Sequence, residues 1–329
     1  MPVNHAISRR SRHAAPRFAD PRKRAGGTRL KARVRLARRR MPAPEAVVEL
    51  LKPVTWFPPM WAFGCGALST GLSLGDRLGT LAAGLVLAGP VVCAMSQAAN
   101  DWYDRDVDAV NEPHRPIPSG RVPGTWGFWI AVIWTAIGLA LGAALGPWGF
   151  GATVVAAALA WAYSAPPLRF KASGWLGPGV CGLAYEGLPW VAAAAILTGG
   201  APRWEIWLVA GLYALGAHGI MTLNDFKAIE GDRAHGLRSL PVTLGPERAA
   251  KLACAVMAGP QLAVVALLAL WGAALHASLV AALLVVQLAM MPRLLEDPRG
   301  RAPWYNGVGV GPYVLGMATA SHAIGWVIP

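Results

Sequence analysis

Asn100-Asp101-Trp102-Tyr103-Asp104-Arg105-Asp106-Val107-Asp108 puts four carboxylates into eight residues of a chain that is only 14% charged. A second run, Asn224-Asp225-Phe226-Lys227-Ala228-Ile229-Glu230-Gly231-Asp232, echoes it more weakly. Carboxylates at this density repel one another unless a cation sits between them. Oxygen-only clusters suit hard ions such as Mg²⁺, which often bridge protein carboxylates to a substrate phosphate. Cations lie in and around both runs: Arg105, Arg115, Arg121, Lys227, Arg233 and Arg238. A site that only stores metal has no use for them. A diphosphate held by Mg²⁺ on one side and by Arg and Lys on the other uses both. Either run alone would also fit a solvated loop whose charges pair locally.

Helical geometry sorts the acids. If the apolar run before Asn100 continues as a helix, 100° per residue brings Asp101, Asp104 and Asp108 within about 60° of one another. Asp106 then points away, toward Arg105 or Arg115. In the second run Asp225 and Asp232 would share a helical face, with Ala228 and Ile229 between them. Glu230 replaces the missing middle acid only if Gly231 relaxes the helix. The candidate metal ligands are therefore Asp101, Asp104 and Asp108, then Asp225 and Asp232, with the amides of Asn100 and Asn224 beside them.

The elements that must position these residues are apolar. The chain has 329 residues, 55% of them hydrophobic, with 38 Gly and 15 Trp. Apolar runs of about 20 residues recur, the length of a membrane-spanning helix. They lack the polar stripe of a soluble helix. The expected fold class is an all-α polytopic membrane protein, with nine transmembrane helices around a central cavity and acidic cap loops on the cytoplasmic side. The spans fall near 53–74, 78–99, 125–146, 148–164, 174–199, 204–223, 247–271, 273–292 and 306–328, after a short amphipathic lead-in at 45–52. The connections after even-numbered spans hold thirteen basic residues, from Arg105 to Arg301, against Arg77 and Arg203 in the others. The positive-inside rule then predicts a cytoplasmic N-terminus, a periplasmic C-terminus and both acidic runs on the cytoplasmic face. The two Asn-Asp pairs stand 124 residues and four spans apart, as in two similar four-helix halves.

The net charge of +13 belongs to one segment, since residues 1–40 hold 14 basic residues and one acid. Residues 1–44 read as a basic, disordered extension suited to anionic lipid, and 45–329 as the membrane domain. Met41-Pro-Ala-Pro opens directly into a coherent segment, so 1–40 also reads as sequence upstream of a start at Met41. Nucleic-acid binding is not expected, because no aromatic residues interleave the charges. Cys65, Cys93, Cys181 and Cys254 lie in separate apolar segments and read as packing residues. Gly142, Ala143, Ala144 and Gly146 read as a helix-packing stretch. Glu186 is an acid inside a span, a functional candidate by default. His218 is its candidate partner, a ligand for a pigment's central metal, or an interhelical hydrogen-bonding group. Trp56, Trp61, Trp161, Trp175 and Trp190 are placed either to stack on a flat ring or to act as anchors and core. His114 and His235 sit in the acidic loops.

Asn100-Asp101-x-x-Asp104-x-x-x-Asp108 and Asn224-Asp225…Asp232 resemble the two aspartate motifs of the UbiA superfamily of intramembrane prenyltransferases. Within it, Leu50-Leu51-Lys52-Pro53-Val54-Thr55-Trp56, Tyr163-Ser164-Ala165-Pro166-Pro167-Leu168-Arg169-Phe170-Lys171 and Ser239-Leu240-Pro241-Val242 resemble the chlorophyll and bacteriochlorophyll synthase branch, most of all its bacteriochlorophyll side. The missing middle acid of the second run is similar to that branch too. The resemblance covers about 45–329. It implies Mg²⁺-dependent transfer of a geranylgeranyl or phytyl group from its diphosphate to the propionate of (bacterio)chlorophyllide, in the inner photosynthetic membrane. Asp101, Asp104, Asp108, Asp225 and Asp232 would carry Mg²⁺. Asn100, Arg105, Arg115, Ser164, Arg169, Lys171, Asn224 and Lys227 would hold the diphosphate, and Tyr163 would face the allyl cation. Pigment-biosynthesis and photosystem-assembly proteins are the partner candidates. Competing readings are a quinone-precursor or haem prenyltransferase, a divalent-cation transporter with ionisable residues along a path through the membrane, and a pigment-binding assembly protein.

Overall fold

A computed structural model describes residues 41–234 and 236–328. The basic stretch 1–40 and His235 lie outside the described residues. Every regular element among the described residues is helical; an isolated parallel bridge joins Ser173 and Arg238. The elements are α1 (Pro44–Leu51), α2 (Phe57–Leu68), α3 (Gly75–Asn111), α4 (Trp126–Ala144), α5 (Gly146–Ser164), α6 (Leu176–Thr198), α7 (Trp204–Asn224), α8 (Ile229–Ala234), α9 (Leu240–Leu244), α10 (Pro246–Leu270), α11 (Ala274–Glu296), α12 (Pro298–Val308) and α13 (Val310–Trp326).

Helices stand at all nine positions expected for spans, but six of them, α3, α4, α6, α7, α10 and α11, are long and apolar enough to cross a membrane. The first expected span is cut to the 12 residues of α2. Pro58 and Pro59 open it, and Gly71, at φ +67°, turns the chain soon after it ends. The side chains of Ser69 and Thr70 bond back to Cys65 O and Ala67 O there, closing the last turn.

Two helices decide where the acidic runs lie. α3 is 37 residues long, about 55 Å at 1.5 Å per residue, against roughly 30 Å of hydrocarbon. Its last turns therefore carry Asn100 to Asp108 beyond the apolar layer as continuous helix, as the spacing requires. α7 does the opposite. It stops at Asn224, and a 3₁₀ turn over Asp225–Lys227 leads into the short α8. The single helical face expected for Asp225 and Asp232 does not exist. Phe226 in the 3₁₀ turn and Ile229 at the start of α8 are both buried.

α7 packs between α6 and α10 at backbone distance. A Cβ on Gly182 would stand 2.3 Å from Ala214 O, and one on Gly219 would stand 2.4 Å from Ala253 O. Small residues at such crossings replace the hydrophobic drive that lipid removes. Between α4 and α5 the same work falls to Gly142, against Thr153 and Gly149, while Ala143 and Ala144 face outward. Gly219→Ala and Gly182→Ala should each cost about 1–3 kcal/mol by overpacking. Gly211→Ala, which meets nothing within 4 Å, should leave the melting temperature unchanged. Thermal unfolding of the detergent-solubilised protein checks the contrast.

Candidate active site

α1, α3 and the loops after α3, α5 and α7 build one polar cap. Asp101 is fully buried, and its Oδ1 meets Lys52 Nζ at 2.6 Å and Arg115 at 3.4 Å. Asp104 meets Lys171 Nζ at 2.5 Å and Arg169 at 3.9 Å. Asp108 meets Arg115 at 2.9 Å, and Glu112 pairs with the same guanidinium. Burial pulls against the Arg115 charge, yet Asp101, Asp108 and Glu112 together hold its pKa above the usual arginine value. Burial draws Lys171 below the usual lysine value, with Asp104 opposing it. The three carboxylates share a side of α3, as the helical spacing requires, and Asp106 stands exposed beside Arg105. Arg105 does not join the cap. Its guanidinium lies over the Trp102 ring, 4.3 Å from the centroid, and donates to Trp102 O. Arg121 reaches back to Glu49 of α1 and to His114 O.

The second acidic run packs against the end of α3. A Cβ on Gly231 would lie 2.9 Å from Asn111 Nδ2, at the end of α3. Asp225 and Asp232 lie near enough to repel each other, with Lys227 beside Asp225. Glu230 is not their third member, since it turns outward to Arg299 at 2.7 Å. The loop bearing Arg169 and Lys171 is tied to the segment that follows this run by backbone bonds from Gly174 N to Arg238 O and from Arg238 N to Ala172 O.

Below the cap lies a cavity of about 820 Å³. Asn100 and Asn224 both line it, as do Tyr163, Cys181, Tyr185 and Glu186. Asn100 Nδ2 donates to Ser164 Oγ at 3.4 Å, and Asn224 Oδ1 accepts from Asn306 Nδ2 at 2.8 Å. Gln97 donates to Tyr185 Oη at 2.7 Å. Deeper walls are apolar, from Phe63, Leu87 and Val92 to Leu159, Ala192 and Ile196. All four cysteines are free, and Cys93 and Cys181 line this cavity rather than only packing helices.

Among the described residues the acids do not gather in threes around a point that could hold an ion; those on α3 are turned onto cations. The donor chemistry nevertheless fits a hard divalent ion. Asp101 Oδ2 is buried with no hydrogen-bond partner among the described residues, an acceptor left open while Oδ1 takes Lys52 and Arg115.

Sequence reasoning missed two members of this site. Lys52 owes its place to a left-handed backbone at the end of α1, with φ 47°. Arg169, with φ 39°, is the other non-glycine residue of positive φ among the described residues, and both pair with aspartates of α3. Backbone strain of this kind gathers at functional sites. Periodicity carries no signal for it; the Lys52-Pro53 step was the available cue. Asn306 was the other omission, a lone amide at the head of an apolar run. The tryptophans resolve toward structure. Ring N–H groups of Trp56, Trp61, Trp161 and Trp190 donate to Leu51 O, Val314 O, Thr135 Oγ1 and Ser69 Oγ. Trp175 is exposed beside His218. His218 does not pair with Glu186; its ring lies against that of Trp175, with centroids 5.8 Å apart.

The UbiA prenyltransferase family matches residues 55–307 of this chain. The chain belongs to that family. It is an integral membrane prenyltransferase. It is 61% identical over 286 residues to the bacteriochlorophyll synthase 33 kDa chain of Cereibacter sphaeroides, covering 87% of this chain and 95% of that one. It is 36% identical to the chloroplastic chlorophyll synthase of Oryza sativa subsp. japonica, over 84% of this chain and 76% of that protein. A UbiA homolog from Archaeoglobus fulgidus, solved with DMAPP and Mg²⁺, shares the fold at a TM-score of 0.64 and 22% identity, over 85% of this chain and 99% of that one.

The buried pair of this UbiA protein is testable. Lys52→Ala leaves the Asp101 charge buried without its nearest partner and should cost about 3 kcal/mol. Lys52→Ala with Asp101→Ala should cost less than the two single changes together, by at least about 1 kcal/mol in a double-mutant cycle. Additive losses in thermal unfolding would show that the pair is not coupled.

Proposed function

We propose that the protein joins a geranylgeranyl or phytyl group to the propionate carboxylate of bacteriochlorophyllide and releases diphosphate. One observation carries the reading: the asparagines that open the two acidic runs, Asn100 and Asn224, line one cavity of about 820 Å³ whose deeper walls are apolar. The identity to synthases of bacteriochlorophyll, higher than to chlorophyll synthase, supports the acceptor.

Asp101, Asp104, Asp108, Asp225 and Asp232 would hold Mg²⁺. When bound, it neutralises charge on the leaving diphosphate, as a Lewis acid does at phosphoryl oxygens. The residues of the chain supply the rest. Lys52, Arg115, Arg169 and Lys171 already stand at the α3 carboxylates, and Lys227 stands beside Asp225. A diphosphate entering between the runs takes these cations as partners, in charge-assisted hydrogen bonds. Asn100 and Asn224, which both line the cavity, orient it. Arg105 is left out of this set because it lies on Trp102. The prenyl chain runs down the apolar wall, with Tyr163 and Ser164 near its first carbons. As the C1–O bond breaks, the diphosphate keeps the electron pair, and a propionate oxygen bonds to C1. That carboxylate is ionised at neutral pH, so no general base is required. The cap faces the cytoplasm, on the strength of the thirteen basic residues on that side against two.

Membranes carrying the protein should form the prenyl ester from bacteriochlorophyllide and geranylgeranyl or phytyl diphosphate, read by chromatography and mass. Chelation of Mg²⁺ should stop the reaction. Asp101→Ala and Asp225→Ala should each lower turnover by at least about 10³-fold, the scale for losing a main electrostatic contribution, with the protein still inserted. An active double variant, or ester formed only on a quinone precursor or haem, would overturn the reading.

A further inference from the structure

The cavity wall holds a carboxyl that this chemistry does not use. Glu186 is 6% exposed, lines the cavity wall, and makes no hydrogen bond or ion pair among the described residues. Its Oε2 is buried without a partner. It sits in a π-helical turn, Leu183–Gly187, inside α6. Such turns are costly insertions that recur at functional sites. Its neighbour Tyr185 accepts from Gln97, three residues before Asn100 on α3, and Glu186 stands ten residues into α6, about 15 Å along the helix from its cap end. Cys65 of α2 and Tyr313 of α13 lie within electrostatic reach of it. On the α12–α13 side of the cavity, Gly307 and Gly311 present bare backbone, with nothing within 4 Å of where a Cβ would stand.

We propose that Glu186 recognises the acceptor, donating a hydrogen bond to a carbonyl oxygen on its ring system. This rests on the proposed function above. Two substrates enter the cavity. Below its diphosphate, the prenyl chain is hydrocarbon and offers no lone pair at this depth. The diphosphate belongs to the cations of the cap. The group left to meet a carboxyl here is a polar atom of the acceptor, whose propionate must reach the cap while its ring extends below. An apolar wall with no cation beside it accommodates the neutral acid, which has one O–H to donate. Beside Gly307 and Gly311, a flat ring can approach the wall closely. Glu186 is thus a specificity residue for the acceptor and has no part in ionising the donor.

The test compares Glu186→Met, of similar size but without a donor, and Glu186→Gln, which keeps one. Both are purified in detergent with the wild type, and each substrate is varied at saturation of the other. Glu186→Met should raise the acceptor KM about tenfold or more, leaving the prenyl diphosphate KM within twofold. Glu186→Gln should stay within about threefold of wild type for both. Glu186→Met should also fold at least as stably, because an unpartnered buried polar group is removed. An unchanged acceptor KM in Glu186→Met overturns the proposal. So does an equal rise in both KM values, or a loss in Glu186→Met of thermal stability that Glu186→Gln restores, since these mark a structural role. If the wild type forms no ester with the tetrapyrrole, the functional reading itself fails, and this proposal with it. If Glu186→Met yields no folded protein, the stability expectation has failed and the proposal is likewise overturned.

Discussion

Like charges crowded at the end of an apolar bundle are the constraint on which this structure turns. Asp101, Asp104 and Asp108 project from one side of α3, and Asp101 is fully buried. They persist because Lys52, Arg115 and Lys171 arrive from three different parts of the chain at 2.5–2.9 Å. Removing one partner of such a pair is far more damaging than replacing both. The cap loops are therefore not free connectors; each is fixed by the charge it delivers. The left-handed backbone at Lys52 and Arg169 shows the same demand at the level of single residues.

That constraint also explains how a ligand-binding end and an apolar cavity coexist. The cations that neutralise the aspartates are groups that a diphosphate would recruit, and Asp101 keeps one oxygen without a partner. Deeper walls are hydrocarbon-like, with Glu186 set into them. A cation pathway would need ionisable residues at successive depths, and the lining of this cavity does not supply them. The transporter reading predicted from the acids alone is weakened by that distribution.

The parts of the site that follow a period were legible from sequence. α3 is an uninterrupted helix through the first acidic run, so 100° spacing alone separated Asp106 from its three neighbours. The second run broke the rule. α7 ends at Asn224 and a 3₁₀ turn follows, a break that no local period reports. The first span was overestimated because its apolar composition continues past the point where Ser69, Thr70 and Gly71 turn the chain. Lys52 and Asn306 are single residues delivered by distant elements, and composition gives such residues no distinguishing mark. The pairing of Arg105 with Trp102 shows the reverse case, a charge in the right stretch facing the wrong way.

The central claim is that both acidic runs act together on one metal-bound diphosphate. Titration calorimetry of inorganic diphosphate against the purified protein, with Mg²⁺ and with chelator, tests it most directly, using Asp101→Asn and Asp225→Asn beside the wild type. The account predicts binding that requires Mg²⁺ and falls at least about tenfold in each variant, the scale of one lost charged contact. Binding that survives chelation, or that is lost in one variant and untouched in the other, would contradict it.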